Sequence, residues 1–144
     1  MDAFAYLSPG SFDLNTQSGL GCNRFGWYLT PSLAELQNII EGPLLIDEVD
    51  GLFSVVGSWV ATANGVGGVS VSQIFEEGQY LATEVHIDLD CLPIDNCNPS
   101  SYTYNAGPFP GVAEWGNPTP LIYPTCPGGS QAYLIINAKV VAAV

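Results

Sequence analysis

Turn-forming residues punctuate this chain about every ten positions, and the runs between them are rich in Val, Ile, Tyr, Thr and Phe. That spacing is too short for a helical protein and suits a stack of short strands, so the expected class is all-β, a single β-sandwich of jelly-roll or immunoglobulin-like type. The expected strands are 2–7, 25–30, 44–49, 52–63, 66–75, 80–90, 101–105, 119–123 and 131–143. Asn64-Gly65 stands between two of them and signals a hairpin, since a type I′ turn needs positive φ at both central residues. Helix has one candidate, near 32–41: Ser32-Leu-Ala-Glu35 reads as a capping box, Leu33, Leu36 and Ile40 form one apolar stripe, and Gly42-Pro43 follows as a stop.

Two segments have patterns that bear on function. In Tyr80 to Asp90 strict alternation assigns Leu81, Thr83, Val85, Ile87 and Leu89 to one face and Ala82, Glu84, His86, Asp88 and Asp90 to the other. Three acids and the sole histidine of the chain then share a side. Ala132 to Val144 is apolar almost throughout, which fits a strand covered on both faces, the second cover being either this chain or another subunit. Between 91 and 130 lies a Pro-, Gly- and Asn-rich stretch carrying Tyr102, Tyr104, Phe109, Trp115 and Tyr123, long for a loop unless its aromatics pack it down.

At 144 residues the chain is expected to form one domain, 1–144, and with 47% apolar residues it can build a core. Charge is the unusual quantity. Only 11% of residues are charged, against about 25% in ordinary soluble domains, and Arg24 and Lys139 are the two cations beside fourteen acids, for a net charge of −12. Nothing in such a chain neutralises phosphates, which excludes nucleic acid as a direct partner and disfavours anionic membrane. No apolar run reaches the roughly 18 residues of a membrane-spanning helix. Residues 1–20 lack the basic and apolar regions of a secretory signal, so a secreted protein of this sequence is expected to be a mature form or one exported by a route the sequence does not display.

Four cysteines form an even set, with His86 the sole imidazole available to a zinc site. Cys91 and Cys97 flank a short loop that a local disulfide would staple, leaving Cys22 to pair with Cys126; closing that long loop contributes about 4–5 kcal/mol in the chain-entropy model. Four buried thiols in a reducing compartment are the alternative.

The acids suggest a hard cation more readily than catalysis. Asp47 and Asp50, and Asp88 and Asp90 with Asp95 close behind, are the candidate calcium ligands, although neither cluster matches an EF-hand loop and solvated acids that maintain solubility explain them as well. His86 beside Glu84 and Asp88 has the composition of an acid/base pair, and Glu84, Asp88, Asp90 and Glu114 could supply two carboxylates for glycoside hydrolysis. No nucleophile elbow accompanies them, and a structural histidine is the commoner outcome, so no enzyme is expected. Arg24, among Phe25, Trp27 and Tyr28, would grip a carboxylate inside the chain or on a partner. The loop aromatics would make a carbohydrate-stacking platform if exposed and pins for the loop if buried.

Three motifs carry a resemblance. Asp2-Ala-Phe-Ala-Tyr6 resembles a Glu-Thr-Ala-Phe-Ala-Tyr opening, Asn23-Arg-Phe-Gly-Trp-Tyr28 resembles Asn-Arg-Trp-Gly-Trp, and Thr83-Glu-Val-His86 is similar to a Thr-Glu-Thr-His-Leu-Tyr strand followed by an Asn/Pro-rich loop like Asn98-Pro99 to Phe109-Pro110. These belong, in this order, to a β-sandwich domain of bacterial secreted and surface proteins that has no settled activity. Tyr133 to Val141 is similar to its closing strand, which usually carries a histidine where Asn137 or its neighbour stands here. The resemblance implies an extracellular or cell-surface module and transfers no catalytic residue.

Together these readings give the expectation of an extracellular structural protein that assembles with copies of itself into a fibre, tube or surface layer by β-strand or edge contacts, with calcium as a candidate stabiliser. Phe4 and Tyr6, or Val140 and Val141, would lie on the donated element. A secreted carbohydrate-binding module, with glycan as partner, is the rival.

Overall fold

The computed structural model describes residues 1–8, 10–14, 26–49, 52–94 and 98–143, with the side chains of 48 and 49 left aside. Among the described residues the chain is all-β: strands β1 (Asp2–Ala5), β2 (Ser11–Asp13), β3 (Trp27–Leu29), β4 (Ile40–Val49), β5 (Leu52–Ala63), β6 (Gly68–Phe75), β7 (Tyr80–Cys91), β8 (Tyr104–Ala106), β9 (Glu114–Gly116), β10 (Leu121–Ile122) and β11 (Ala132–Ala142), with one short helix, α1 (Leu33–Gln37). Every ladder is antiparallel. From β6 the order runs β5, β4, β1, β11, β7, β8, with β3 and β2 set beside β1 along the same edge of β11 and the short β9 and β10 beyond β6. The sheet does not close into a barrel.

Strand β11 is the spine. Its residues Leu134, Ile136, Ala138 and Val140 enter the larger core with Leu44, Val56, Trp59, Val71, Val85 and Ile87, while Tyr133 and Ile135 enter a second core with Phe4, Leu14, Trp27, Tyr28, Ile94 and Tyr102. The expected two-sided cover is therefore present, and this chain supplies both sides. Each large apolar side chain taken fully out of water contributes about 1.5–3 kcal/mol, which is why an unbroken apolar run is stable at the centre of this fold.

Two local expectations need correction. Helix α1 keeps its capping box, with Ser32 Oγ accepting from Glu35 N–H and Glu35 Oε1 accepting from Ser32 N–H, but it stops at Gln37, and β4 begins at Ile40 after Ile39 takes a φ of 61°. Gly42 is a strand residue: a Cβ there would stand 2.3 Å from Tyr6 O and 3.1 Å from Trp59 Nε1. It marks crowding between strands, so no helix stop is needed. The Asn64 hairpin forms, but the loop is longer than a two-residue turn, and its positive φ, 83°, falls at Gly67. Asn64 Oδ1 accepts from the N–H groups of Val66 and Gly68, which fixes that loop.

The Pro-rich segment is a strap. β8 lies on β7, Phe109 N–H donates to Thr83 O, Val112 and Ala82 exchange hydrogen bonds, Phe75 N–H donates to Ala113 O, and β9 then lies on β6. It thus crosses from one flank of the open sheet to the other, where no ladder joins β6 to β7 among the described residues. Tyr104, Phe109, Trp115 and Tyr123 pack from it against the larger core.

Candidate functional site

The alternation in β7 changes phase at Thr83. Opposite it, Lys139 pairs with Glu84 and Val140 with Ala82, so Thr83 is left out of the ladder and Ala82, rather than Leu81 or Thr83, enters the core with Val85 and Ile87. Beyond that bulge the expected grouping of Glu84, His86, Asp88 and Asp90 on one side is realised, and of the four His86 and Asp88 are buried beside the strap segment around β8.

His86 is buried and bonded on both sides. Its Nδ1 lies 2.5 Å from Asn105 Oδ1 and its Nε2 3.0 Å from Glu84 Oε1. Asn105 Nδ2 donates to Tyr102 O at 2.9 Å, which turns the amide oxygen toward the imidazole. Lys139 Nζ is 3.9 Å from Glu84 Oε2, a solvent-facing pair of small energetic weight. The ring thus ties the strap to β7, and neither nitrogen is left open toward a substrate.

Asp88 is 4% exposed. Its Oδ2 accepts from the Tyr133 hydroxyl at 2.5 Å and its Oδ1 from Thr103 N–H at 3.2 Å, while Thr103 Oγ1 donates to Ile87 O and accepts from Leu89 N–H. Burial pushes the Asp88 carboxyl above its ordinary range, against the pull of the Tyr133 and Thr103 hydrogen bonds, and the nearby Asp90 charge adds a little to the rise. Each of its oxygens accepts a hydrogen bond from inside the protein. Asp90 is exposed and accepts from Cys91 N–H at 2.8 Å, and Asp47 is exposed on β4. Asp50 and Asp95 lie outside the described residues, as do Arg24, Cys22 and Cys97. Among the described residues no three His, Cys, Asp or Glu side chains converge as metal ligands.

Cys91 is bonded to Cys126, and the expected Cys91–Cys97 and Cys22–Cys126 pairs are thereby overturned. The ladder explains it: Cys91 pairs with Ala132 and Leu92 N–H donates to Gln131 O, so the end of β7 lies beside the return of the chain into β11, where Cys126 arrives. The bond closes the strap onto the sheet.

Of the aromatic residues, Tyr102 is buried and Tyr104 and Trp115 stand 5.8 Å apart against the core, while Tyr123 donates to Pro31 O at 2.7 Å. They pin the strap. Tyr123 also borders a cleft of about 280 Å³ with Thr30, Glu35 and Gln131, where burial and the Glu35 charge raise its phenol above the ordinary value.

Of the expected contact residues, Phe4 and Val140 are fully buried in this chain, Tyr6 packs edge-on against Trp27 at 4.9 Å, and Val141 is exposed. Thr103, Asn105 and Tyr133 were not singled out in the sequence. The cue for the first two was their i, i+2 spacing, which matches His86 and Asp88. The chain matches no protein-family model, no curated protein and no solved structure.

Proposed function

We propose that the chain is an extracellular structural subunit that assembles with copies of itself through sheet contacts. The observation that carries this reading is the start of β5. Phe53 and Val55, two residues apart and therefore on one face, are each 48% exposed. Phe53 stands edge-on to Trp27 at 5.1 Å, so this apolar surface continues the second core outward. An exposed apolar surface of this kind is suited to another apolar protein surface. The Cys91–Cys126 disulfide suits an oxidising compartment.

Negative-stain microscopy and sedimentation of the intact protein beside a Val55→Asp variant test the reading. Ordered polymers from the intact protein, lost in the variant with an unchanged melting temperature, are expected. An intact protein that stays monomeric at high concentration, or a variant that assembles as well as the parent, overturns it. Saturable glycan binding by such a monomer would favour the carbohydrate-binding rival.

A further inference from the structure

Strand β1 occupies a slot between two strands that are remote from it in sequence. Asp2, Ala3 and Phe4 pair with Lys139, Ala138 and Asn137 of β11, and Phe4 and Ala5 pair with Leu45 and Leu44 of β4. The slot has two differently shaped sides: Ala3 and Ala5 point into the larger core and Phe4 fills the second one, all three fully buried. Register is marked by Asn137, whose Nδ2 donates to Ala3 O at 3.2 Å. The contacts run on into Tyr6, whose N–H donates to Pro43 O at 3.1 Å and whose carbonyl accepts from Trp59 Nε1 at 3.2 Å, and Tyr6 would travel with the strand. A β1 from another copy would therefore meet the same hydrogen bonds and the same pockets.

The ladder that holds β1 is short, whereas β7 and β11 pair along their whole lengths. Of the two elements the sequence offered for donation, β1 is held by far fewer ladder pairs, and because it is the strand that joins β4 to β11, a chain that gives it up needs a replacement strand in the same slot. Its slot also lies beside the apolar surface of β5, because Phe4 pairs with Leu45 and Leu45 with Val55. Copies that meet there bring one strand within reach of the other's slot.

We propose that β1 is exchanged between copies, each chain placing Asp2–Ala5 between β4 and β11 of the next. This rests on the self-assembly reading above and specifies its joint. Non-reciprocal exchange is a head-to-tail contact, so it continues without closing.

Engineered cysteines at positions 2 and 139 test it. Met1 N–H and Val140 N–H donate to each other's carbonyls at 3.0 and 2.8 Å, which makes the next pair, Asp2 and Lys139, a non-hydrogen-bonded pair, the closer kind. Both side chains are at least partly exposed, so Asp2→Cys and Lys139→Cys leave the core untouched. When the two single variants are mixed and assembled, a covalent dimer of one with the other is expected, and the double variant should give a ladder of covalent oligomers. A parallel mixture of Asp2→Cys with Val66→Cys, a 92% exposed site on the β5–β6 turn, should give none. Polymers in which the double variant crosslinks only within its own chain overturn the exchange and leave the assembly reading standing. Equal crosslinking to position 66 also overturns it. A protein that never assembles, crosslinked only within single chains, overturns both.

Discussion

The Tyr133 hydroxyl donates to Asp88 Oδ2 at 2.5 Å, joining the two longest-paired strands of the sheet, β7 and β11, through a carboxylate that water scarcely reaches. A buried carboxylate raised above its ordinary value binds a proton more tightly in the folded than in the unfolded chain. Its linkage to stability follows from that difference.

The folded protein holds the Asp88 proton in the window from the ordinary value of 3.8 up to the raised folded value, so stability falls as pH rises through that window. Asp88→Asn keeps both contacts, since the amide oxygen accepts from Thr103 N–H and the amide N–H donates to the Tyr133 oxygen. Denaturation measured across acidic pH should show the variant gaining on the parent as pH rises through the window. Identical profiles would refute a raised carboxyl at position 88.

The Cys91–Cys126 disulfide spans 35 residues and closes the strap, a constraint worth about 4 kcal/mol in the chain-entropy model. Replacing both cysteines with alanine should lower unfolding free energy by that order, read from the denaturant midpoint. It should also increase protease cutting between Cys91 and Cys126.

Gln73 is fully buried among apolar neighbours on the inner side of β6, and neither its Nε2 nor its Oε1 has a hydrogen-bond partner among the described residues. An unmet buried polar group costs about 1–3 kcal/mol. Gln73→Leu, similar in volume, should therefore stabilise the protein by roughly that amount in thermal or chemical melts. A loss of stability would show that the amide is satisfied by an internal water.

His86 and Asn105 tie the strap to β7. Asn105→Ala should speed amide hydrogen exchange in residues 102–106 well before it changes the global melting temperature. Equal protection in the two proteins would mean that backbone pairing of β8 alone holds the segment.

The hairpin of β5 and β6 and the long strands β7 and β11 were legible because their evidence is local: alternation in Val69 to Phe75, a turn at Asn64, an apolar run after Ala132. The end of α1 was not legible. Gly42-Pro43 reads as a helix stop within its own neighbourhood, and its real cause, the approach of Tyr6 O and the Trp59 ring, is visible only once β1 and β5 flank β4. The phase of β7 likewise depends on the bulge at Thr83, which β11 imposes from more than fifty residues away.

The low charge, the all-β class, the shared face of Glu84, His86 and Asp88 and the two-sided burial of β11 were fixed by residue order alone, because period and composition act over a few neighbouring positions. Which cysteine joins Cys91, which protein groups satisfy Asp88 and His86, and that Phe4 sits in a slot between β4 and β11 were decided by the tertiary structure. Each is a meeting of segments distant along the chain, and sequence spacing carries no distance until the ladders that bring them together have formed.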